Sequence, residues 1–176
     1  ARFFEILFYN LSWYLANPSE IIAIWHGGLS FHGGLVGAAL ATWLFCRKKN
    51  VAFLHLADYI DIPAVLRLAL VRIGNFLNGE LPRRITDVAW AVQFPGVDGF
   101  RHPSQLYESV KNLIIFSILL VNVKKQRKDG YLFGLFMIWY GILRFSIEFV
   151  REPETMVNFL TMGQALSIPV FILGLY

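Results

Sequence analysis

The chain has 176 residues, of which 56% are apolar and 16% charged, with a net charge of +4 and a mean hydropathy of +0.53. That length suits one domain, and the composition is too apolar for an ordinary soluble one. The basic residues are clustered and no soluble groove is on offer to a nucleic-acid strand, so the positive balance points to membrane orientation and anionic lipid, not to nucleic acid.

Ala1 to Phe8 lacks the charged head and small-residue cleavage site of a signal peptide; with no initiating methionine, the chain reads as a fragment or a processed product. Ile6 to Leu15 is aromatic, too short to span a bilayer, and ended by the turn signal Asn17-Pro18, which predicts a re-entrant or interfacial element. Leu29 to Cys46 predicts a membrane helix whose glycines permit close helix approach, stopped by Arg47-Lys48-Lys49-Asn50. Cys46, the single cysteine, allows no disulfide within the chain and reads as a small interfacial hydrophobe.

A second helix is predicted from about Ala57 to Asn78, with Asp58 in its first turn, where a carboxylate suits the helix dipole, and Pro63 as a kink. Residues 79–103 form a polar loop. A third helix, Gln105 to Val123, has Glu108 as a candidate cap near its start and ends at Lys124-Lys125-Gln126-Arg127-Lys128. Asp129-Gly130 turns the chain into a fourth, Tyr131 to Val150, followed by Arg151-Glu152-Pro153-Glu154, and a fifth runs from Thr161 to Tyr176. The expected fold is all-α: one polytopic membrane domain over residues 1–176 with about five transmembrane helices and the short N-terminal element.

Five of the six lysines lie in the loops at 48–49 and 124–128, which marks that side as cytoplasmic. Simple alternation then places Trp25 to His32, Arg72 to Glu80, Arg101-His102, and Arg144 with Glu148 and Arg151 at the outer face. Arginines concentrated there run against the rule that oriented the protein, so something must offset them. Arg144, Glu148 and Arg151 are spaced i, i+4, i+7 on one helix face, either as a salt-bridge ladder or as a ligand grip. Arg72 has Asn75 one turn on, and an arginine fork suits a phosphate. Several arginines at headgroup depth without a matching set of carboxylates favour a phospholipid headgroup. His26, His32 and His102 also fall on the outer side, as interfacial hydrogen-bonders or as a proton acceptor near neutral pH. A metal site is not expected, because the histidines lack an i, i+4 pair and no cysteine cluster accompanies them.

Four segments carry a resemblance: Gly28-Leu-Ser-Phe-His-Gly-Gly34, Arg72-Ile-Gly-Asn-Phe-Leu-Asn-Gly-Glu80, Arg101-His-Pro-Ser-Gln-Leu-Tyr-Glu108, and Arg144 with Glu148 and Arg151. In order and spacing they resemble the prolipoprotein diacylglyceryl transferases of bacteria, over essentially the whole chain. The resemblance implies transfer of the diacylglyceryl group from phosphatidylglycerol to the lipobox cysteine of a preprolipoprotein, at the outer face of the inner membrane and without a cofactor. It also implies roles. Arg72 and Arg144 bind the phosphate, His32 is the candidate base for the thiol, and Asn75, Glu80, Glu148 and Arg151 orient the headgroup or the arginines. Asn78, His102 and Glu108 count among the substrate-binding groups. The chain departs from the family's pattern in starting after its front portion with the His-Trp-Tyr type motif. It departs again in Leu81-Pro82-Arg83-Arg84, and in Arg67 and Val71 at usual glycine positions. These departures keep open a truncated homologue that binds anionic phospholipid without turnover.

Overall fold

The computed structural model describes residues 2–8, 10–27, 30–80, 84–125, 128–150, 156–157 and 159–175. The chain divides into two compact units, Ala1–Phe53 and Leu54–Tyr176.

In the first unit, the aromatic N-terminal stretch forms two short helices, α1 (Arg2–Phe8) and α2 (Leu11–Ala16), followed by 3-10 turns at Pro18–Ile21 and Ile24–His26. Arg2 straps these pieces together. Its guanidinium donates to the carbonyls of Glu20, Gly27 and Ala23 and stands over the Tyr14 ring, 4.9 Å from its centroid. Helix α3 (Phe31–Lys49) starts at Ser30, whose hydroxyl accepts the Gly33 N–H at 3.3 Å. Its last turn carries Arg47, Lys48 and Lys49, cations at the negative end of the helix, and Asn50 closes it with φ 52°.

The second unit holds α4 (Phe53–Leu77), α5 (Ser104–Asn122), α6 (Tyr131–Ile147) with a 3-10 extension over Glu148–Val150, and α7 (Met162–Gly174). Two small antiparallel hairpins add strands to a fold expected to be wholly helical. In one, β1 (Val92–Gln93) pairs with β2 (Phe100–Arg101); in the other, β3 (Met156–Val157) pairs with β4 (Leu160–Thr161). Among the described residues, two helices are long and apolar enough to cross a membrane: α5, with 19 residues, and α6 with its extension, with 20. Helix α4 has the length, runs on through Pro63, and carries Asp58, Asp61, Arg67 and Arg72.

The apolar core lies where α4, α5 and α6 meet, at Val65, Ile115, Leu119 and Leu132. On α5 the buried face changes character along its length. Ser104, Gln105, Glu108, Ser109, Lys111 and Asn112 are buried at its start, and Ile115 and Leu119 follow, while Val110, Leu113, Ile114, Leu120 and Val121 are exposed. A helix with polar groups inside and leucines outside is the pattern of a segment solvated by hydrocarbon. Arg67 and Val71 are exposed on α4, so neither enters the seam with α5, which is marked by the Ser109 hydroxyl donating to the Ala69 carbonyl at 3.0 Å.

Helix α4 begins a full turn before its expected start, and Asp58 therefore serves a different helix. Its two carboxylate oxygens accept the N–H groups of Gly130 (2.9 Å) and Phe133 (2.8 Å) at the first turn of α6. These donors have no partner within their own helix. Asp58→Ala is expected to lower stability by about 1–3 kcal/mol by stranding them, with Asp58→Asn losing less. Thermal unfolding in detergent measures both.

Helices α6 and α7 pack so closely that backbone meets backbone. A β-carbon on Gly174 would stand 2.7 Å from the Gly134 carbonyl oxygen and 2.8 Å from the Ile138 nitrogen, and one on Gly141 would stand 3.0 Å from the Ser167 carbonyl oxygen. Backbone cannot swing aside. Gly141→Ala and Gly174→Ala are each expected to destabilise the pair by about 1–3 kcal/mol, as overpacking does, seen as a lower unfolding midpoint.

Candidate active site

Two arginine–carboxylate ion pairs form in the second unit. Between the end of α4 and the polar start of α5, Arg72 Nε meets Glu108 Oε2 at 2.6 Å, and its Nη1 donates to Asn75 Oδ1 at 3.4 Å. At the end of α6, Arg144 pairs with Glu148 one helical turn later. Both carboxylates are nearly inaccessible, Glu108 at 6% and Glu148 at 7% exposure, and the arginines are partly open.

The two pairs stand at the same end of the helices. Lys111 of α5, 4% exposed, places its ammonium 4.3 Å from the ring centroid of Tyr140 on α6, which fixes the relative level of these two helices. Glu108 lies three residues from Lys111 and Arg144 four from Tyr140, each about 5 Å further toward that end at the usual helical rise. A cation held on a buried carboxylate is costly to desolvate and is kept by its partner. Both arginines are thus pre-positioned, with the fork of each tied by identified bonds through one or two of its N–H groups.

Beyond α4 the chain is clasped around Glu80. Its oxygens accept from Asn75 Nδ2 (2.6 Å) and Asn78 Nδ2 (3.2 Å), its N–H donates to the Asn75 carbonyl (2.8 Å), and its carbonyl accepts from Gln105 Nε2 (2.6 Å). Asn75 therefore links Glu80 to Arg72, and through it to Glu108. Glu148 is seated at the start of α7, where a β-carbon on Gly163 would fall 2.6 Å from its carboxyl carbon. Thr161 and Gln164 form a capping box there, so the carboxylate lies against the positive end of a well-formed helix.

Several sequence expectations change. Glu108, weighed as a helix cap, is the ion-pair partner of Arg72. The arginines expected to lack matching carboxylates have them, since Arg72 and Arg144 each hold one. His102 stands in an aromatic group: its Nδ1 is 3.2 Å from the Tyr107 hydroxyl, which also accepts from Trp90 Nε1 at 2.6 Å. Among the described contacts His102 is not joined to either ion pair. His26 bonds Glu20 at 2.8 Å in the first unit, and His32 falls in the first turn of α3, where its backbone alone is described. Arg151 and Arg83 lie outside the described residues. Gln105, Lys111, Tyr140 and Gly163 were not singled out in advance. Lys111 had a readable signal, a lysine inside an apolar run far from either basic loop. Among the described residues no group of three or more His, Cys, Asp or Glu side chains is placed to hold a metal.

Comparison with known proteins bears on what such a site does. The family described as prolipoprotein diacylglyceryl transferase matches residues 1–176. The chain is similar to the phosphatidylglycerol–prolipoprotein diacylglyceryl transferase of Geobacter sulfurreducens, 48% identical over 176 residues, covering 97% of this chain and 68% of the relative. The protein of the same description from Nitratidesulfovibrio vulgaris is 44% identical over 178 residues, with the same two coverages. That from Chromohalobacter salexigens is 44% identical over 177 residues, covering 96% and 66%. The chain thus spans about two thirds of the length of these relatives.

Proposed function

The chain belongs to the prolipoprotein diacylglyceryl transferase family, and on that premise we propose that it transfers the diacylglyceryl group of phosphatidylglycerol to the lipobox cysteine of a preprolipoprotein. It is a membrane transferase of lipoprotein biosynthesis. Its setting is a bacterial inner membrane, crossed by about five helices of one membrane domain, with the arginine end outward by the lysine rule.

The observation that supports this reading best is the pair of arginines from different helices, each braced by a buried carboxylate at one end of the bundle. The reaction is an alkyl transfer. The thiol loses its proton to His32, the base proposed on the motif that carries it. The sulfur attacks the glyceryl carbon bonded to the phosphate, the carbon–sulfur bond forms as the carbon–oxygen bond breaks, and glycerol phosphate leaves with the electron pair. Negative charge grows on the phosphate oxygens as that bond lengthens. Arg72 and Arg144 stabilise it, in the manner of preorganised donors aimed at developing charge. Asn75, Asn78, Glu80, Glu108, Glu148 and Arg151 hold the arginines and the headgroup in register, and His102 contributes to the headgroup's surroundings. No step calls for a cofactor.

Purified protein given labelled phosphatidylglycerol and a lipobox peptide is expected to add one diacylglyceryl mass to the peptide and none when phosphatidylcholine replaces the anionic lipid. Retention of phosphatidylglycerol with no change in peptide mass would instead identify a binding protein without turnover.

A further inference from the structure

At the opposite end of the same helices lies a polar cavity, which the transfer reaction does not use. It has a volume of about 230 Å³ and is enclosed by the start of α4, the end of α5 and the start of α6, with His55, Tyr59, Asn122, Lys124, Lys125 and Lys128 on its walls. Its two carboxylates are already committed. Asp58 takes the backbone N–H groups of Gly130 and Phe133, and Asp129 takes His55 Nδ1 at 2.8 Å. Lys125 donates one bond to Asn122 Oδ1 at 3.1 Å. Three lysines therefore share a small concavity with two carboxylates whose hydrogen bonds go elsewhere, which leaves the cations in excess by one. His55 and Arg72 are separated along α4 by about 25 Å at the usual helical rise, close to the thickness of a hydrocarbon core. The cavity is thus at headgroup depth in the leaflet away from the arginines.

We infer that this cavity is a second binding site, for the phosphate of an anionic lipid headgroup in that leaflet. Ammonium groups are suited to it as point charges, with the Tyr59 hydroxyl and the Asn122 amide as further polar partners. A headgroup bound there ties α4, α5 and α6 together at the end where Asp58 caps α6.

The test counts lipids. The full chain, loaded with short-chain phosphatidylglycerol in neutral detergent, is expected to retain two by native mass spectrometry. The Lys124→Gln/Lys125→Gln/Lys128→Gln variant is expected to retain one and to keep peptide transfer within about twofold of the parent, because these lysines lie away from the reacting groups. Affinity should fall about fivefold for each lysine removed, from the worth of one basic residue at a lipid surface. Lys128→Gln alone, which keeps Lys124 and Lys125 to direct insertion, should show that single step. Inorganic phosphate in place of lipid separates the sources. If phosphate alone raises the unfolding midpoint of the parent and not of the triple variant, the site takes free phosphate; if lipid alone does so, it takes the headgroup. A triple variant that retains both lipids at unchanged affinity overturns the inference. An Arg144→Ala variant that keeps both lipids counts against the transferase site and leaves this one standing.

Discussion

Arg144→Ala is expected to reduce diacylglyceryl transfer by at least about 10²–10³-fold, the range found when one preorganised donor to a developing charge is removed. The same change strands Glu148, whose carboxylate is 7% exposed, and a buried ion pair broken from one side costs about 3–5 kcal/mol. Lost activity alone would therefore not separate chemistry from folding. The double variant Arg144→Ala/Glu148→Gln does so, because it removes both charges together. Stability should return toward that of the parent and transfer should not. Arg144→Lys should fall between, keeping the charge and losing the planar fork that meets two phosphate oxygens. The checks are peptide mass gain for transfer and thermal unfolding in detergent for stability. If the double variant recovers transfer, Arg144 serves only Glu148 and the phosphate grip is wrong.

Much of the helical layout could be read from hydropathy, because a bilayer leaves little choice to an apolar run of that length. The segments expected at Gln105 to Val123 and Tyr131 to Val150 are α5 and α6 within a residue or so, the latter ending in a 3-10 turn. What periodicity does not carry is the identity of a polar group's partner. Asp58 was assigned to the dipole of its own helix, and it caps another 72 residues away in the chain. The hairpins at Val92–Gln93 and Met156–Val157 were missed because two-residue strands have no period to detect.

For the candidate site, residue types were legible and pairings were not. Arg72, Asn75 and Glu80 stood out because charge at the end of an apolar segment is expensive there, and they form one bonded chain with Glu108. That Glu108 completes it depends on the register of α5 against α4, a tertiary quantity. Lys111 was lost to averaging, since one lysine barely lowers the mean hydropathy of a long window. Gly163 gave no signal at all, because the need for a missing β-carbon is set by a side chain from a different helix.

Gly163→Ala is the sharpest test of that last dependence, and it is expected to cost at least about tenfold in transfer through misplacement of a group it never touches chemically. The new methyl would stand 2.6 Å from Glu148 Oε1 and 2.7 Å from Oε2, closer than carbon and oxygen can approach. A carboxylate at the tip of a side chain usually swings away cheaply. Here it is held by Arg144 and enclosed, so moving it also moves the guanidinium assigned to the phosphate. Shortening the acid makes room, and Gly163→Ala/Glu148→Asp should regain part of the activity that Gly163→Ala alone loses. Gly174→Ala supplies the comparison. It crowds the same helix pair against Gly134 and Ile138, six to ten residues before Arg144 on α6, and should lower the unfolding midpoint with transfer per folded molecule unchanged. Equal losses of transfer in the two variants, measured per folded molecule, would mean that α6–α7 packing as a whole governs the rate and that the seat of Glu148 has no special part in it.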